Sequence, residues 1–286
     1  MYEAKIQNVD GGVLLLTGDE PVYQVISITG LNPPKAQINT TSIVGLDGVL
    51  FNSSKLETRN IVLTVKINGN VETNRLNLYN FFRTKEWCKF YYSNDSVDVF
   101  IEAYVESVEC DLFSNSEIAQ ISIICPYPYF KSLTEIVTDI SSTLGLFVFP
   151  FSINLGEPVA FSSYDNIRSA NVYNGSESET GVIIIITLSG PINSIEIRNS
   201  RNGDDFELNY SFQTNDVITI NTNKGQKSVS LLRNGVITNI FPAVEKGSTF
   251  FQLAVGSNIF NYLADDGTSN DNVTITFHYH HEYRGV

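Results

Sequence analysis

The chain has 286 residues, 42% of them hydrophobic and 17% charged, a composition that describes a folded globular protein and excludes a disordered one. Its length favours two domains of ordinary size, each able to bury roughly 68–70% of its unfolded surface and so to fold without disulfides or metals. A net charge of -13 repels phosphate backbones and anionic headgroups, which disfavours nucleic acid and membrane surfaces as ligands while leaving DNA free to pass an acidic wall without sticking.

Met1 to Asp10 has no basic start followed by an apolar run, so no signal peptide is expected. Turn dipeptides punctuate the rest: Asn-Gly at 68, 174, 202 and 234, Asp-Gly at 10, 47 and 266. Both pairs tolerate the positive φ of tight hairpin turns, which predicts antiparallel hairpins. In Ile61–Ile67, Ile61, Leu63, Val65 and Ile67 fall on one face and Thr64 and Lys66 on the other, the pattern of a half-buried strand. Residues 71–85 carry Leu76, Leu78, Tyr79, Phe81 and Phe82 at mixed three- and four-residue spacing and predict one amphipathic helix, with Trp87 packing at its end. A long strand is expected from Val97 to about Phe113, with Val97, Val99 and Ile101 on one side. It turns over Asp111 to Ser116 and returns along Glu117 to Cys125.

Pro126, Pro128 and the polar stretch 132–142 mark a change of character, so the expected domains are 1–135 and 136–286. The apolar run Leu144 to Phe151 is less than half a membrane span and contains Gly145 and Pro150. Strands are predicted near 168–173, 181–188, 192–199, 206–212, 216–221, 227–233, 235–241, 249–254, 257–263 and 272–280. That spacing suits a sandwich or jelly roll, with Ile183 to Ile186, apolar on both faces, as a central strand. The fold class is mainly β.

Chemistry finds little support. Cys88, Cys110 and Cys125 lack C-x-x-C spacing and are expected to be reduced and mostly buried. All the histidines lie near the C-terminus, far from any nucleophile pair. On one strand His278, His280 and Glu282 would share a face and are the weak metal candidates. The acidic groups Asp204-Asp205 and Asp265-Asp266, with Asp271, could hold calcium or act as paired glycosidase acids, but the adjacent Gly203 and Gly267 make turn chemistry the simpler account. No phosphate-cradling glycine motif is present. No catalytic residue and no cofactor are assigned.

Three stretches of the first half are not ordinary strand-and-turn text: Gly30-Leu-Asn-Pro-Pro-Lys-Ala-Gln-Ile-Asn-Thr-Thr41, Gly45-Leu-Asp-Gly-Val-Leu-Phe-Asn-Ser-Ser54, and Arg59-Asn-Ile-Val-Leu-Thr64. With the 71–85 helix and the Cys125-Pro-Tyr-Pro-Tyr-Phe130 exit, this half resembles the N-terminal domain of the distal tail (Dit) proteins of long-tailed bacteriophages. Phe206–Tyr210, Asp216–Val229, Leu232–Val236 and Ser248–Leu253 with Gly256 resemble that family's galectin-like C-terminal domain. The resemblance implies a β-sandwich or split-barrel-like N-terminal domain with long hairpins, followed by a galectin-like β-sandwich. It further implies a structural homo-hexamer, not an enzyme, at the virion tail tip, assembled in the host cytoplasm. Its partners would be the tail-tube protein on one side and a baseplate or fibre protein on the other, with receptor-binding proteins as a further candidate. No sequence-specific nucleic-acid binding is implied.

The expected ring contacts are the 45–54 arm, with Leu50, Phe51 and Asn52, and the 97–125 hairpin, with Val97, Val99 and Ile101; each could instead complete its own sheet. The alternative function is a carbohydrate-binding adhesion module at the phage tail or cell surface. A weaker third, a tail-associated hydrolase, would need internal acid pairs or histidine.

Overall fold

The computed structural model describes residues 3–45, 47–111, 117–140, 144–145, 162–163, 168–265 and 272–286. These form two compact units, 1–134 with 282–286, and 135–281. The expected 111–116 turn after its first residue, the 144–151 apolar run beyond Gly145, and Asp266, Gly267 and Asp271 lie outside the described residues.

The first unit is one large antiparallel sheet with a separate two-stranded hairpin. Its strands are β1 (Glu3–Asn8), β2 (Val13–Leu15), β3 (Tyr23–Thr29), β4 (Ala36–Thr41), β5 (Leu50–Leu56), β6 (Arg59–Ile67), then α1 (Val71–Phe81), β7 (Trp87–Ser93), β8 (Asp98–Cys110), β9 (Ile118–Cys125) and β10 (Phe130–Ser132). The order β2-β1-β7-β8-β9-β6-β3 runs across the sheet; β10 joins β8, and residues 282–283 pair with β10. Alternation decides what is buried. Ile61, Leu63 and Val65 of β6, Cys88 and Phe90 of β7, Val99, Ile101 and Ala103 of β8 and Ile121 of β9 point into one core, against Leu78 and Phe82 of the helix region.

The helix is shorter than the 71–85 expected. Asn70 caps its start by accepting from the Thr73 N–H at 3.4 Å, and the left-handed backbone of Lys85 (φ 72°) closes the turn that follows its end. Trp87 therefore opens β7 and does not finish the helix. Asn68-Gly69 feeds this helix and Asn174-Gly175 leads into a loop, whereas the dipeptides at 10, 47, 202 and 234 do sit between paired strands.

The second unit contains β11 (Ile136–Asp139), β12 (Leu144–Gly145), β13 (Ser162–Ser163), β14 (Ser169–Asn174), β15 (Ile183–Leu188), β16 (Ile192–Asn199), β17 (Asp204–Phe212), β18 (Val217–Asn221), β19 (Ser228–Arg233), β20 (Val236–Asn239), β21 (Gly256–Ala264) and β22 (Val273–Tyr279). A six-stranded sheet, β11-β22-β15-β18-β19-β20, and a four-stranded sheet, β14-β21-β16-β17, make a sandwich. Its core interleaves residues such as Ile184, Ile186, Ile220 and Phe277 from one sheet with Val172, Ile197, Phe206 and Tyr262 from the other. β15 is central, as its apolar run predicts. The strand expected at 249–254 does not form; only Leu253 bridges, to Thr180.

The last strand, β23 (Glu282–Tyr283), belongs to the first unit. Sequence reading carries the second domain to residue 286, but the ladder breaks after Tyr279, and the buried Glu282 carboxylate accepts hydrogen bonds from the Tyr127 hydroxyl at 2.7 and 2.9 Å. Burial, then the Glu282 charge beside it, pushes the Tyr127 phenol up.

Candidate assembly surface

Between β3 and β6 the chain leaves the sheet and builds a separate two-stranded hairpin, β4–β5. Its root is tightly specified. Gly30 has φ 88°, and a Cβ there would lie 2.0 Å from the Asn60 carbonyl oxygen, so only glycine fits. Arg59, 2% exposed, donates from Nη1 to the carbonyls of Gly30 and Asn32, from Nε to Pro128 at 2.9 Å and from Nη2 to Arg284. Its guanidinium also lies 4.5 Å from the centre of the Phe130 ring. Burial lowers the affinity of this guanidinium for its proton. Val286 N–H donates to Leu31 O and Glu57 N–H to Lys35 O, which closes the base.

Beyond that root every residue from Ala36 to Thr41 and from Leu50 to Lys55 is exposed. The register places Ala36 opposite Leu56, Ile38 opposite Ser54 and, past a bulge that accommodates Asn52, Thr40 opposite Phe51. One face therefore carries Ile38 (61% exposed), Phe51 (65%), Ala36 and Leu56. The other is polar except for Leu50, which pairs with Thr41 at the tip: Asn39 donates to Ser53 at 3.0 Å, and Asn52 to Thr41 at 2.6 Å. Ile43, Val44, Val49 and Leu50 extend the exposed apolar surface around the tip. A two-stranded hairpin is marginal in water unless its apolar face is covered, and this one has no core of its own.

The other expected contact behaves in the opposite way. β8 is paired on both sides, by β7 and β9, and Val99 and Ile101 are each 2% exposed. Their side chains are used by the core, which corrects their assignment to a surface; Val97 is half-buried against the same core. Leu50, Phe51 and Asn52 lie together on the arm, Asn52 on its polar side.

The remaining candidates do not converge. His278, on β22, bonds Thr276 at 3.1 Å and Glu135 at 3.3 Å; His280 follows that strand's end, and Glu282 starts β23. The premise of one continuous strand fails. Among the described residues no cluster of three His, Cys, Asp or Glu is placed to hold a metal. Asp204 bonds the Asn202 side chain within its turn, and Asp265 accepts from the Asn193 and Ser194 N–H groups at 2.7 Å. Cys88 and Cys125 are buried thiols pushed up to about 12 by desolvation, and the described cysteines are free. Among the described residues no helix is long and apolar enough to cross a membrane. Missing from the sequence reading are β4, the Arg59 clamp and the return of 282–286; the one sequence signal for the arm is the cluster of Val49, Leu50 and Phe51 beside a turn.

Among the described residues of the two β units no chemical site converges, and the first unit carries an exposed amphipathic arm. Residues 16–125 match the phage tail protein RIFT-related domain, and residues 175–282 match the C-terminal domain of the siphovirus-type tail component. The chain belongs to the siphovirus-type distal tail (Dit) component family. The crystal structure of the SPP1 Dit protein (gp 19.1), described as a paradigm of the hub adsorption apparatus in phages infecting Gram-positive bacteria, superposes with a TM-score of 0.69 at 14% identity, covering 97% of this chain and 98% of that one. A chain of the phage P2 baseplate, activated with calcium, gives 0.54 at 13% identity over 98% of each chain. Its strontium-activated form gives 0.54 at 12%, over 97% and 98%. At these identities the likeness establishes the fold. Sequence comparison with curated proteins gives no significant match.

Proposed function

We propose that the chain is a non-enzymatic ring subunit of the tail tip, a homo-hexamer joining the tail tube to the baseplate, fibre or receptor-binding apparatus and assembled in the bacterial host. The observation that carries this is the β4–β5 arm: firmly rooted by Arg59, amphipathic, and without a core to bury Ile38 and Phe51. A neighbouring copy that covers the apolar face of each arm closes a ring, since a contact between different surfaces of identical chains propagates until the rotation closes. The net charge of -13 suits a passage through which DNA slides without sticking.

Light scattering on the purified chain, alone and with tail-tube protein, tests the reading. The wild type is expected to give the hexamer mass and Phe51→Asp a monomer with unchanged circular dichroism. Hexamers unaffected by Phe51→Asp would remove the arm from the interface, and a wild-type chain monomeric under both conditions would remove the ring.

A further inference from the structure

The second unit carries an edge that the arm does not account for. A sheet edge exposes unpaired backbone groups, and proteins blunt such edges with loops, charges or proline. The β17 edge is covered: Leu208 bridges Val244, and the N–H groups of Glu245 and Thr249 donate to Glu207 and Asp205. At β14 the Tyr279 hydroxyl donates to the Tyr173 carbonyl at 2.8 Å. β11 ends in Asp139 and is flanked by Glu135. β20, at the far end of the six-stranded sheet, is the sequence Val-Ile-Thr-Asn, fully exposed, with neither charge nor proline, and no described residue pairs with its outer side.

The direction of its free groups follows from the ladder. Asn234 and Gly235, both at positive φ (52° and 79°), make the tight turn from β19, and Ile240 N–H donates to Val229 O in the same register. Hydrogen-bonded pairs recur every second residue, so Val236 and Thr238 bond inward to β19 and the N–H and C=O of Ile237 and Asn239 point outward. Ile237, 73% exposed, stands beside the exposed Leu232 across the ladder, giving an apolar step at the rim.

We propose that β20 is a docking edge for an extended segment of another polypeptide, which adds to the six-stranded sheet by backbone pairing with Ile237 and Asn239. The edge specifies an extended backbone, and the Leu232–Ile237 step specifies a β-branched or aromatic side chain opposite it. Residues 135–281 hold 15 acidic residues against 7 basic ones, so the segment is basic. A second copy is the weaker occupant: a four-residue edge supplies far less than the ~1,000 Å² that a stable dimer buries, whereas a segment already held nearby by its own protein needs only a short strand.

Amide exchange on the full-length chain, followed residue by residue by NMR, tests this with a synthetic peptide of alternating valine and threonine capped by lysines. At about 1 mM peptide, the Ile237 and Asn239 amides are expected to slow about tenfold, with Val236 and Thr238 little changed. Ile237→Pro, which deletes an outward donor and no ladder bond, should abolish the protection; Ile237→Lys serves as a second variant should proline disturb the strand. The proposal is overturned by amides at 237 and 239 that are already slow in the free chain, by protection appearing elsewhere or nowhere, or by concentration-dependent dimers that Ile237→Lys dissolves.

Discussion

The hairpins β4–β5 and β8–β9 are both antiparallel, bulged and rich in β-formers, yet the molecule uses them in opposite ways. In β8–β9 the neighbours β7 and β6 satisfy the backbone, and the regular apolar side, Val99, Ile101, Ala103 and Val105, is sealed into the core. In β4–β5 no described strand pairs with either outer edge, and both faces are exposed. What separates them is the density of alternating apolar residues. A strand with an apolar residue at every second position has enough area to be claimed by its own domain; in β4–β5 the large apolar side chains Ile38, Leu50 and Phe51 are scattered among polar ones and stay exposed.

The sharpest break of the contrast is Ile101→Ala. Removing a fully buried isoleucine is expected to destabilise the first unit by ~2–5 kcal/mol, read as a fall in the denaturation midpoint. Equal midpoints for Ile101→Ala and wild type would place β8 outside the core. Next comes Arg59→Met, which strands the carbonyls of Gly30, Asn32, Pro128 and Arg284. About 3 kcal/mol of stability should be lost, together with protease resistance at the arm's root, since buried acceptors lose their donor. A protease pattern like that of the wild type would mean that the root does not depend on the clamp.

The same contrast explains what was legible in the sequence. Alternation in 61–67 and 97–105 identified strands and the residues sharing a face, and the Asn-Gly at 202 and 234 marked true hairpins. Val99 and Ile101 belong to the core and not to a surface, because the most regular apolar side is the one a domain keeps for itself. The arm is harder to read because the bulge at Asn52 sets Phe51 three residues from Ser54 on the same face and breaks the period of two. The clamp made by Arg59 is not legible in the sequence: its acceptors come from residues 30, 32, 128 and 284, which only the fold assembles. For the same reason a two-residue strand after Tyr279 did not announce its return to β10.

A smaller effect isolates the second unit. Asp216, 1% exposed, accepts from Arg233 Nε at 2.9 Å and Nη2 at 2.6 Å and from Gln213 N–H at 2.7 Å. The Arg233 hydrogen bonds hold its carboxyl below the ordinary carboxylate range against the opposing pull of burial. A carboxyl that is more acidic folded than unfolded contributes its full stability above the unfolded value of ~3.9 and loses it as pH falls through the folded one. Asp216→Asn should therefore cost about 1 kcal/mol at pH 7, and its unfolding midpoint should converge on that of the wild type in acid. A difference that stayed constant down to low pH would assign the effect to packing.

The smallest expected change returns to the arm. Phe51 rests on no core, so Phe51→Asp should shift the midpoint of the unassembled chain by less than about 0.5 kcal/mol, in a protein where Ile101→Ala costs several times that. A large loss in the monomer would mean that the arm's apolar face is already buried by its own chain, and the distinction between the two hairpins would collapse. A negligible loss, combined with lost assembly, separates residues that fold the subunit from residues that join it to the next: the first lie at every second position of β8, the second on one face of an arm that folds poorly alone.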